Sequence, residues 1–167
     1  MRVPLTVNDF LRRAELVYGD RIAIVDEPDQ PASSWGSIDY SEMARRARAI
    51  AAGLDALGIG VGERVAMVSH NSARLMTALF GVSGSGRVLV PVNFRLSAAE
   101  ISYIVGHCGA RVLLVDPEIA PAMADVECEM KWTIGDESDG ALLRYDLEPR
   151  PWDGDEDATA TINYTSG

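Results

Sequence analysis

The chain of 167 residues is 47% hydrophobic, so it is long enough and apolar enough to bury the core of one ordinary domain. Its 25 acidic and 15 basic residues give a net charge of −10, which argues against nucleic acid and against an anionic membrane surface as partners. The plainer explanation of this charge is solubility. The only cysteines, Cys108 and Cys128, lack C-x-x-C spacing, so the sequence supports neither a disulfide scaffold nor a structural zinc site.

The compartment that the sequence predicts is the cytoplasm. The N-terminal stretch MRVPLTVNDFLRR has no apolar core of signal-peptide length, and no stretch approaches the roughly 18 apolar residues of a membrane span. Lys131 is the single lysine of the chain, so any chemistry that requires a reactive lysine has one candidate.

The N-terminal residues predict a helix followed by a hairpin. Thr6 with Asp9 three places later is typical of a capping box, and apolar residues at helical spacing follow as far as Gly19. Residues 21–25 form a β-branched run that indicates a short strand. The polar residues 28–34 then indicate a hairpin loop.

The middle of the chain alternates between helical and strand patterns. Apolar residues at helical spacing over 39–57 predict a long helix, which is the most regular pattern in the sequence. The elements that follow are a strand over 64–69, a helix over 72–83, a strand over 88–92, a helix from Ser97 to Gly109 and a strand over 111–116. Short links between strand and helix imply right-handed crossovers, so we predict an α/β fold with a parallel sheet covered by helices.

Beyond residue 116 the patterns are weaker. They predict a short helix within 117–125, a short strand at 132–134 and a helical turn at 138–143. The composition of P-R-P-W-D-G-D-E-D indicates a loop or linker. The predicted organisation is therefore an N-terminal α/β subdomain over 1–148, an acidic linker over 149–157, and a strand with its following loop over 158–167.

Two glycine clusters suggest a dinucleotide-binding loop but do not match its pattern. The run at 58–62 follows a helix rather than a strand, and Glu63 stands where G-x-G-x-x-G requires its third glycine. Gly84 and Gly86 do not match for the same reason. Both clusters are more typical of helix stops and of a close helix–sheet contact, and the second predicts a frayed or shortened helix end.

The two histidines are open to a functional or a structural interpretation. His70 follows a predicted strand, and His107 stands next to Cys108 near a predicted helix end. A lone histidine at a strand end is usually structural, and the pair of His107 and Cys108 lacks a third group at a defined spacing. A structural role is therefore favoured over catalysis or metal binding for both histidines. Asn71 or Ser72 is suited to cap the next helix.

The last residues, A-T-I-N-Y-T-S-G at 160–167, combine a β-prone run with two hydroxyls and a glycine. A loop that wraps phosphate oxygens needs such donors and a backbone that tolerates positive φ. The triplet T-S-G is also common in ordinary turns, so on its own it is a weak indication.

Three upstream blocks strengthen this indication. The four ordered blocks are G-I-G-V-G-E-R-V-A-M-V-S-H-N-S at 58–72, P-V-N-F-R-L-S-A-A-E-I-S-Y-I at 91–104, G-A-R-V-L-L-V-D at 109–116, and Y-T-S-G at 164–167. In this order and spacing they resemble the N-terminal part of the adenylate-forming (AMP-binding) enzymes. Within that superfamily they are most similar to the acyl-CoA synthetases, or fatty-acid–CoA ligases.

The resemblance implies a two-step ligase. A carboxylic acid attacks the α-phosphate of ATP to give an acyl-adenylate, and the thiol of CoA then displaces AMP to give the thioester. It assigns the ATP phosphates to Thr165, Ser166 and Gly167, and it implies Mg²⁺ as the cofactor. Arg95 matches an arginine that contacts CoA phosphate in some relatives. A guanidinium suits this role, because it is permanently charged and can bond phosphate bidentately. The alternative, that Arg95 is simply an exposed loop arginine, has equal weight.

The rest of the family pattern is not matched. The phosphate loop of the family continues as [ST]-T-G-x-P-K-G, and the magnesium-associated acid and the adenylation lysine come later still. Lys131 precedes the loop and matches neither lysine. The resemblance therefore implies a fragment that ends inside the phosphate loop, with no catalytic residue and no metal ligand of its own, and we expect it to be inactive alone.

Two alternatives remain from the sequence. The chain could be a non-catalytic module that self-associates, because a sheet separated from its following segments exposes edges and apolar surface. It could also be a stand-alone nucleotide-binding α/β domain of the flavodoxin or Rossmann type, although the unmatched glycine patterns weigh against this.

Overall fold

The structure, a computed structural model, describes residues 5–165. Eleven helices and strands follow one another in this range. They are α1 (Val7–Tyr18), β1 (Ile22–Val25), β2 (Ser37–Asp39), α2 (Tyr40–Ala56), β3 (Arg64–Val68), α3 (Ala73–Ala78), β4 (Val88–Val92), α4 (Ala98–Cys108), β5 (Ala110–Val115), β6 (Met130–Thr133) and α5 (Asp136–Leu142). A π-helical turn, Leu79–Ser83, continues α3, and a 3₁₀ turn, Ala120–Met123, lies between β5 and β6.

The central sheet has four parallel strands in the order β4-β3-β5-β6. Val68 at the end of β3 aligns with Val92 of β4 and with Val115 of β5, so the three strands end together. Because successive residues of a strand point to opposite faces, Val65 and Met67 pack on one side of the sheet and Ala66 and Val68 on the other. The continuous apolar run of β3 is therefore explained by burial on both faces.

Helices cover both faces, which confirms the predicted α/β class. Ile50 and Leu54 of α2, together with Leu142 of α5, pack on one face. Ile101 and Ile104 of α4 pack on the other. The boundaries of α4 follow from its sequence, because Ser97 and Glu100 form a capping box and Gly109 ends the helix in the left-handed conformation.

The predicted N-terminal hairpin forms a sheet of its own. Strands β1 and β2 pair antiparallel and are separate from the central sheet. A third apolar cluster holds the hairpin and α1 against α2, with Leu11, Ile38 and Met43 at its centre. This unit therefore packs beside the parallel sheet rather than extending it.

The helix predicted over 72–83 differs from the prediction in its second half. Ser72 caps it as expected, but the α-helix ends at Ala78 and the chain continues in the π-helical turn. The α-helical part is thus shortened, as the glycines at 84 and 86 predict, and these glycines make close contacts. Gly86 has φ +81°, and a Cβ there would stand 2.7 Å from the indole of Trp152, while a Cβ on Gly84 would meet the carbonyl oxygen of Phe80.

The segments after α5 have little regular structure but contact the subdomain. Residues 149–157 contain no helix or strand, and the backbone N–H of Arg150 donates to the carboxylate of Asp55 at 2.7 Å. Further on, Thr161 pairs in parallel with Leu89 at the outer edge of β4 through a single bridge. Leu89 donates its N–H to the carbonyl of Ala160, and Ile162 donates its N–H to the carbonyl of Leu89.

Candidate functional site at the carboxyl edge of the sheet

The aligned ends of β3, β4 and β5 bring three loops together at one edge of the sheet. His70 follows β3, the stretch 93–95 follows β4, and the stretch 116–118 follows β5. In open parallel sheets the ligands bind outside the carboxyl ends of the strands, where the loops can present side chains. This edge is therefore the candidate functional site.

The loop after β4 presents Arg95 to solvent. The side-chain oxygen of Asn93 accepts a hydrogen bond from the N–H of Arg95 at 3.0 Å, which is the local turn that asparagine favours. The guanidinium of Arg95 lies 5.0 Å from the ring centre of Phe94, and that ring lies 3.9 Å from the ring of His70. Within residues 5–165 Arg95 forms no ion pair, so its donors are available to a phosphate.

Beside this loop, a histidine and two carboxylates converge. Nε2 of His70 lies 3.0 Å from Oε2 of Glu118, and Oδ1 of Asp116 accepts the N–H of Glu118 at 3.0 Å. One ligand atom from each of the three side chains lies within 4.8 Å of the others. The sequence predicts a structural role for His70, because a lone histidine at a strand end is usually structural. Its partners come instead from the loop after β5, the neighbour of β3 in the sheet, 46 and 48 positions further along the chain.

The C-terminal segment lies along α4. The hydroxyl of Tyr164 lies 2.7 Å from Nδ1 of His107, and the ring of Tyr103 stacks on His107 from the preceding turn at 5.4 Å. Thr165 is exposed beyond this contact, and Ser166 and Gly167 lie outside the described residues. The contacts to His107 and to β4 thus position the residue just before the predicted phosphate loop.

The structure does not bring Thr165 and Arg95 together. Tyr164 contacts the last turn of α4, whereas Arg95 stands two residues before its N-cap, Ser97. An eleven-residue helix is about 16 Å long, so the two predicted phosphate contacts lie toward opposite ends of α4.

The single lysine is occupied by backbone carbonyls. Nζ of Lys131 donates to the carbonyl oxygens of Met123, Ala124 and Val126 at 3.0, 2.9 and 2.9 Å. These bonds tie β6 to the 3₁₀ turn that precedes it. With all three of its donors used in this way, Lys131 serves a structural role.

The cysteine beside His107 is also not activated. Burial raises the pKa of the Cys108 thiol, which keeps it protonated near neutral pH. Its sulfur faces the carbonyl of Val105 at 3.6 Å, one turn back in α4. His107 and Cys108 therefore do not form a nucleophile and its base, in agreement with the structural interpretation.

The glycine runs do not form a phosphate cradle. Gly58 follows α2 with φ +72°, and the N–H of Ile59 bonds back to the carbonyl of Leu54. The second run ends the π-helical turn against Trp152. Both runs follow the end of a helix, as the sequence predicts, but only the second makes a close contact, and that contact is with Trp152 rather than with the sheet.

A cleft of about 590 Å³ lies away from the carboxyl edge, between α1, α2 and residues 149–154. Its wall contains Arg48, whose guanidinium forms two hydrogen bonds of 2.9 Å with the carboxylate of Glu15. We assign the functional site to the sheet edge rather than to this cleft, because the edge carries the predicted Arg95 and the convergent polar groups.

The fold and these loops together define an α/β unit with a candidate ligand site at the carboxyl edge of its sheet, and its sequence places it in a particular family. Residues 11–167 match the AMP-binding enzyme family, so the chain belongs to that family. Within residues 5–165, no helix has the length and apolarity that crossing a membrane requires.

Individual relatives point to fatty-acid ligases. The chain is 40% identical over 127 residues to a long-chain-fatty-acid–CoA ligase of Thermus thermophilus, a match that covers 76% of this chain and 23% of the relative. It is 35% identical over 147 residues to the fatty acid–[acyl-carrier-protein] ligase ScoC of Streptomyces coeruleorubidus. This match covers 84% of this chain and 28% of the relative. The chain thus spans about a quarter of the length of these curated relatives.

A solved structure agrees with the fold. The inhibitor-bound N-terminal domain of FACL13 from Mycobacterium tuberculosis superposes with a TM-score of 0.82 at 29% identity, covering 97% of this chain and 41% of that one. The chain therefore belongs to the AMP-binding family, as its four sequence blocks predict, and has the fold of that N-terminal domain.

Proposed function

We propose that the chain is the N-terminal part of an ATP-dependent fatty-acid–CoA ligase of the cytoplasm. The parent enzyme would join a carboxylic acid to ATP as an acyl-adenylate with release of pyrophosphate, and then transfer the acyl group to the thiol of CoA with release of AMP. The observation that carries this proposal is the family match over residues 11–167, together with the fatty-acid ligases among the relatives.

In this proposal the hydroxyls of Thr165 and Ser166 and the backbone of Gly167 hold the ATP phosphates during the first step. The exposed position of Thr165, just beyond the bond between Tyr164 and His107, supports this role. Mg²⁺ would neutralise phosphate charge in that step. The family acid associated with the ion comes later than the Y-T-S-G block, so no residue of this chain is assigned to it.

Arg95 acts in the second step, where its guanidinium bonds a phosphate of CoA. Its exposure and its lack of an ion pair within the described range support this role. The distance between Arg95 and Thr165 is consistent with two separate phosphate contacts, one for each cosubstrate.

We expect the 167-residue chain alone to be inactive, because the second half of the phosphate loop and the adenylation lysine both contribute to the first step. The measurement is ATP–pyrophosphate exchange with a panel of fatty and aromatic acids. Acid-dependent exchange above the buffer control would overturn this expectation.

The parent activity is tested in a chimera that replaces the matching segment of the Thermus thermophilus ligase with this chain. Formation of a fatty acyl-CoA supports the proposal. Transfer of the acyl group only to an acyl carrier protein would show that the acceptor is that protein and not CoA. The absence of acid-dependent pyrophosphate exchange in a folded chimera would reject the ligase assignment.

The same chimera tests Arg95. Loss of a charge-assisted hydrogen bond of about 1.5–3 kcal/mol predicts that Arg95→Ala raises the KM for CoA roughly ten- to hundredfold. Acid-dependent pyrophosphate exchange should stay unchanged, because the first step does not use CoA. The matched control is Arg13→Ala, another exposed arginine. An unchanged KM for CoA in Arg95→Ala would mean that Arg95 is an exposed loop arginine that does not bind CoA.

A further inference from the structure

The histidine and two carboxylates at the carboxyl edge have the composition of a metal site. His70 offers an imidazole nitrogen, and Asp116 and Glu118 each offer a carboxylate oxygen, with all three ligand atoms within 4.8 Å of one another. They belong to the loops after two paired strands, β3 and β5, whose last residues, Val68 and Val115, align in register. The backbone of the sheet therefore fixes where these loops meet.

The carboxylate of Asp116 is buried without a cation. The residue is 4% exposed, and within the described range its side chain has one hydrogen bond, in which Oδ1 accepts the N–H of Glu118. No arginine or lysine of residues 5–165 forms an ion pair with it. Buried charges in proteins are normally paired or coordinate a metal, because desolvation without compensation costs several kcal/mol per ion. Asp116 therefore contributes to the cluster a largely buried carboxylate that has no arginine or lysine partner within the described residues.

We propose that His70, Asp116 and Glu118 form a binding site for a divalent transition-metal ion, with Zn²⁺ as the ion that suits it best. One imidazole and two carboxylates are ligands that zinc accepts, with a water completing a tetrahedron. Magnesium is disfavoured, since it prefers an octahedral shell of oxygens.

The spacing requires only a small side-chain adjustment. Zinc with bonds of about 2.0–2.1 Å sets tetrahedral ligand atoms about 3.4 Å apart, so the 3.0 Å contact between His70 and Glu118 must widen slightly, while any separation in the cluster near its 4.8 Å limit must shorten. The side chain of Glu118 is 65% exposed and can rotate without disturbing the core. On binding, the ion takes the place of the direct contact between His70 and Glu118, and the neutral imidazole coordinates through Nε2.

The ion would link the loops after β3 and β5 beside the loop that carries Arg95. The ring of Phe94 lies between His70 and Arg95, at 3.9 Å from the imidazole and 5.0 Å from the guanidinium. Zinc therefore fixes the imidazole against which Phe94 packs. This site is independent of the proposed ligase activity, since it uses none of the residues assigned to ATP or CoA.

The test is calorimetric titration of the metal-free 167-residue chain with Zn²⁺ at neutral pH, with Mg²⁺ as a parallel titrant. We expect one zinc ion per chain and no heat from Mg²⁺. Glu118→Gln and His70→Asn should each weaken zinc binding by at least about tenfold, since even outer-shell partners of a metal ligand contribute 10–100-fold to affinity. Glu118 is exposed, so its variant keeps the fold; circular dichroism checks both.

Two controls separate this site from adventitious binding. His107→Asn removes the other histidine of the chain, and Cys108→Ser removes a thiol that could bind zinc; both should bind as the wild type does. In the ¹⁵N spectrum of the two imidazoles, zinc should shift the resonances of His70 and leave those of His107 in place. No binding by the wild type, or equal binding by folded His70→Asn and Glu118→Gln, would overturn the proposal.

Discussion

At the scale of single residues, the most constrained charge is the guanidinium of Arg87. It is 4% exposed, it donates to the carbonyl of Ile59 from Nε and Nη2, and it pairs with Asp55, whose side chain is 11% exposed. Asp55 lies in the last turn of α2, where the helix dipole disfavours an acid, so the arginine compensates both charge and dipole.

Removal of this arginine should strongly destabilise the fold. Arg87→Ala leaves the largely buried carboxylate of Asp55 without a cation and with the N–H of Arg150 as its remaining donor, and we expect a loss of about 3–5 kcal/mol in the free energy of unfolding. Urea denaturation measures it. The control is Arg45→Ala, which breaks a pair whose arginine is 52% exposed and should lose no more than about 1 kcal/mol. Equal losses in the two variants would contradict the buried-pair argument.

A second residue-scale prediction concerns Glu63. The backbone N–H of Gly60, followed by the guanidinium of Arg111, lowers the pKa of its carboxyl below the ordinary value of 4.5. A lowered folded-state pKa contributes stability that is present above pH 4.5 and is lost as the pH falls through the folded value. Glu63→Gln should therefore flatten the decline of the unfolding free energy below pH 4.5, measured by denaturation at several pH values. If the unfolding free energy of the variant and of the wild type declined equally steeply below pH 4.5, this prediction would be wrong.

At the scale of elements, the contact between α2 and α5 depends on Gly53. A Cβ at this position would stand 2.8 Å from the carbonyl carbon of Leu142 and even closer to its oxygen. Gly53→Ala should destabilise the fold by about 1–3 kcal/mol, because the two backbones must separate. The matched control is Gly140→Ala in α5, where an added Cβ meets no atom within 4 Å. There we expect a gain of about 0.5–1 kcal/mol from helix propensity. Thermal or urea unfolding of both variants checks the opposite signs.

Elements whose signals are local could be predicted from the sequence. Helix α4 is an example: its capping residues Ser97 and Glu100 and its stop Gly109 lie within the element itself. The parallel sheet followed from continuous apolar strands alternating with amphipathic helices. The π-helical turn after Ala78 was not predicted in this way. Within it, Gly81 packs closely on Ile50 of α2, which is far away in sequence.

Part of the candidate site could likewise be predicted from local sequence, and part of it depends on packing. Arg95 and Thr165 came from short blocks whose order resembles a family, so they needed no knowledge of packing. The cluster of His70, Asp116 and Glu118 depends on the register of β3 against β5, which periodicity does not specify. Its sequence signal, polar residues just beyond two strand ends, becomes specific only when the strands are known to be neighbours. The pair of Arg87 and Asp55 was missed for the same reason.

At the scale of the whole molecule, the apolar surface left outside the core is concentrated near the N-terminus. Phe10, Leu16 and Val17 of α1 are 62%, 76% and 56% exposed, and Ile22 and Val25 of β1 are 58% and 75% exposed. Exposed apolar surface of this kind favours association, whereas the net charge of −10 opposes it. We therefore propose that the chain self-associates, and that salt strengthens the association by screening the charge.

Sedimentation velocity over a range of protein and salt concentrations tests this proposal. The weight-average sedimentation coefficient should rise with concentration and rise further with salt, since salt screens repulsion but leaves apolar contacts intact. Leu16→Glu should suppress the rise by placing a charge in the exposed face of α1. Val61→Glu is the matched control, because Val61 is 61% exposed but lies alone in the glycine-rich loop after α2. Both variants add the same charge. If only Leu16→Glu suppresses the rise, the association contact lies on α1; if both suppress it equally, the effect comes from the added net charge. A monomer at every concentration would exclude self-association altogether.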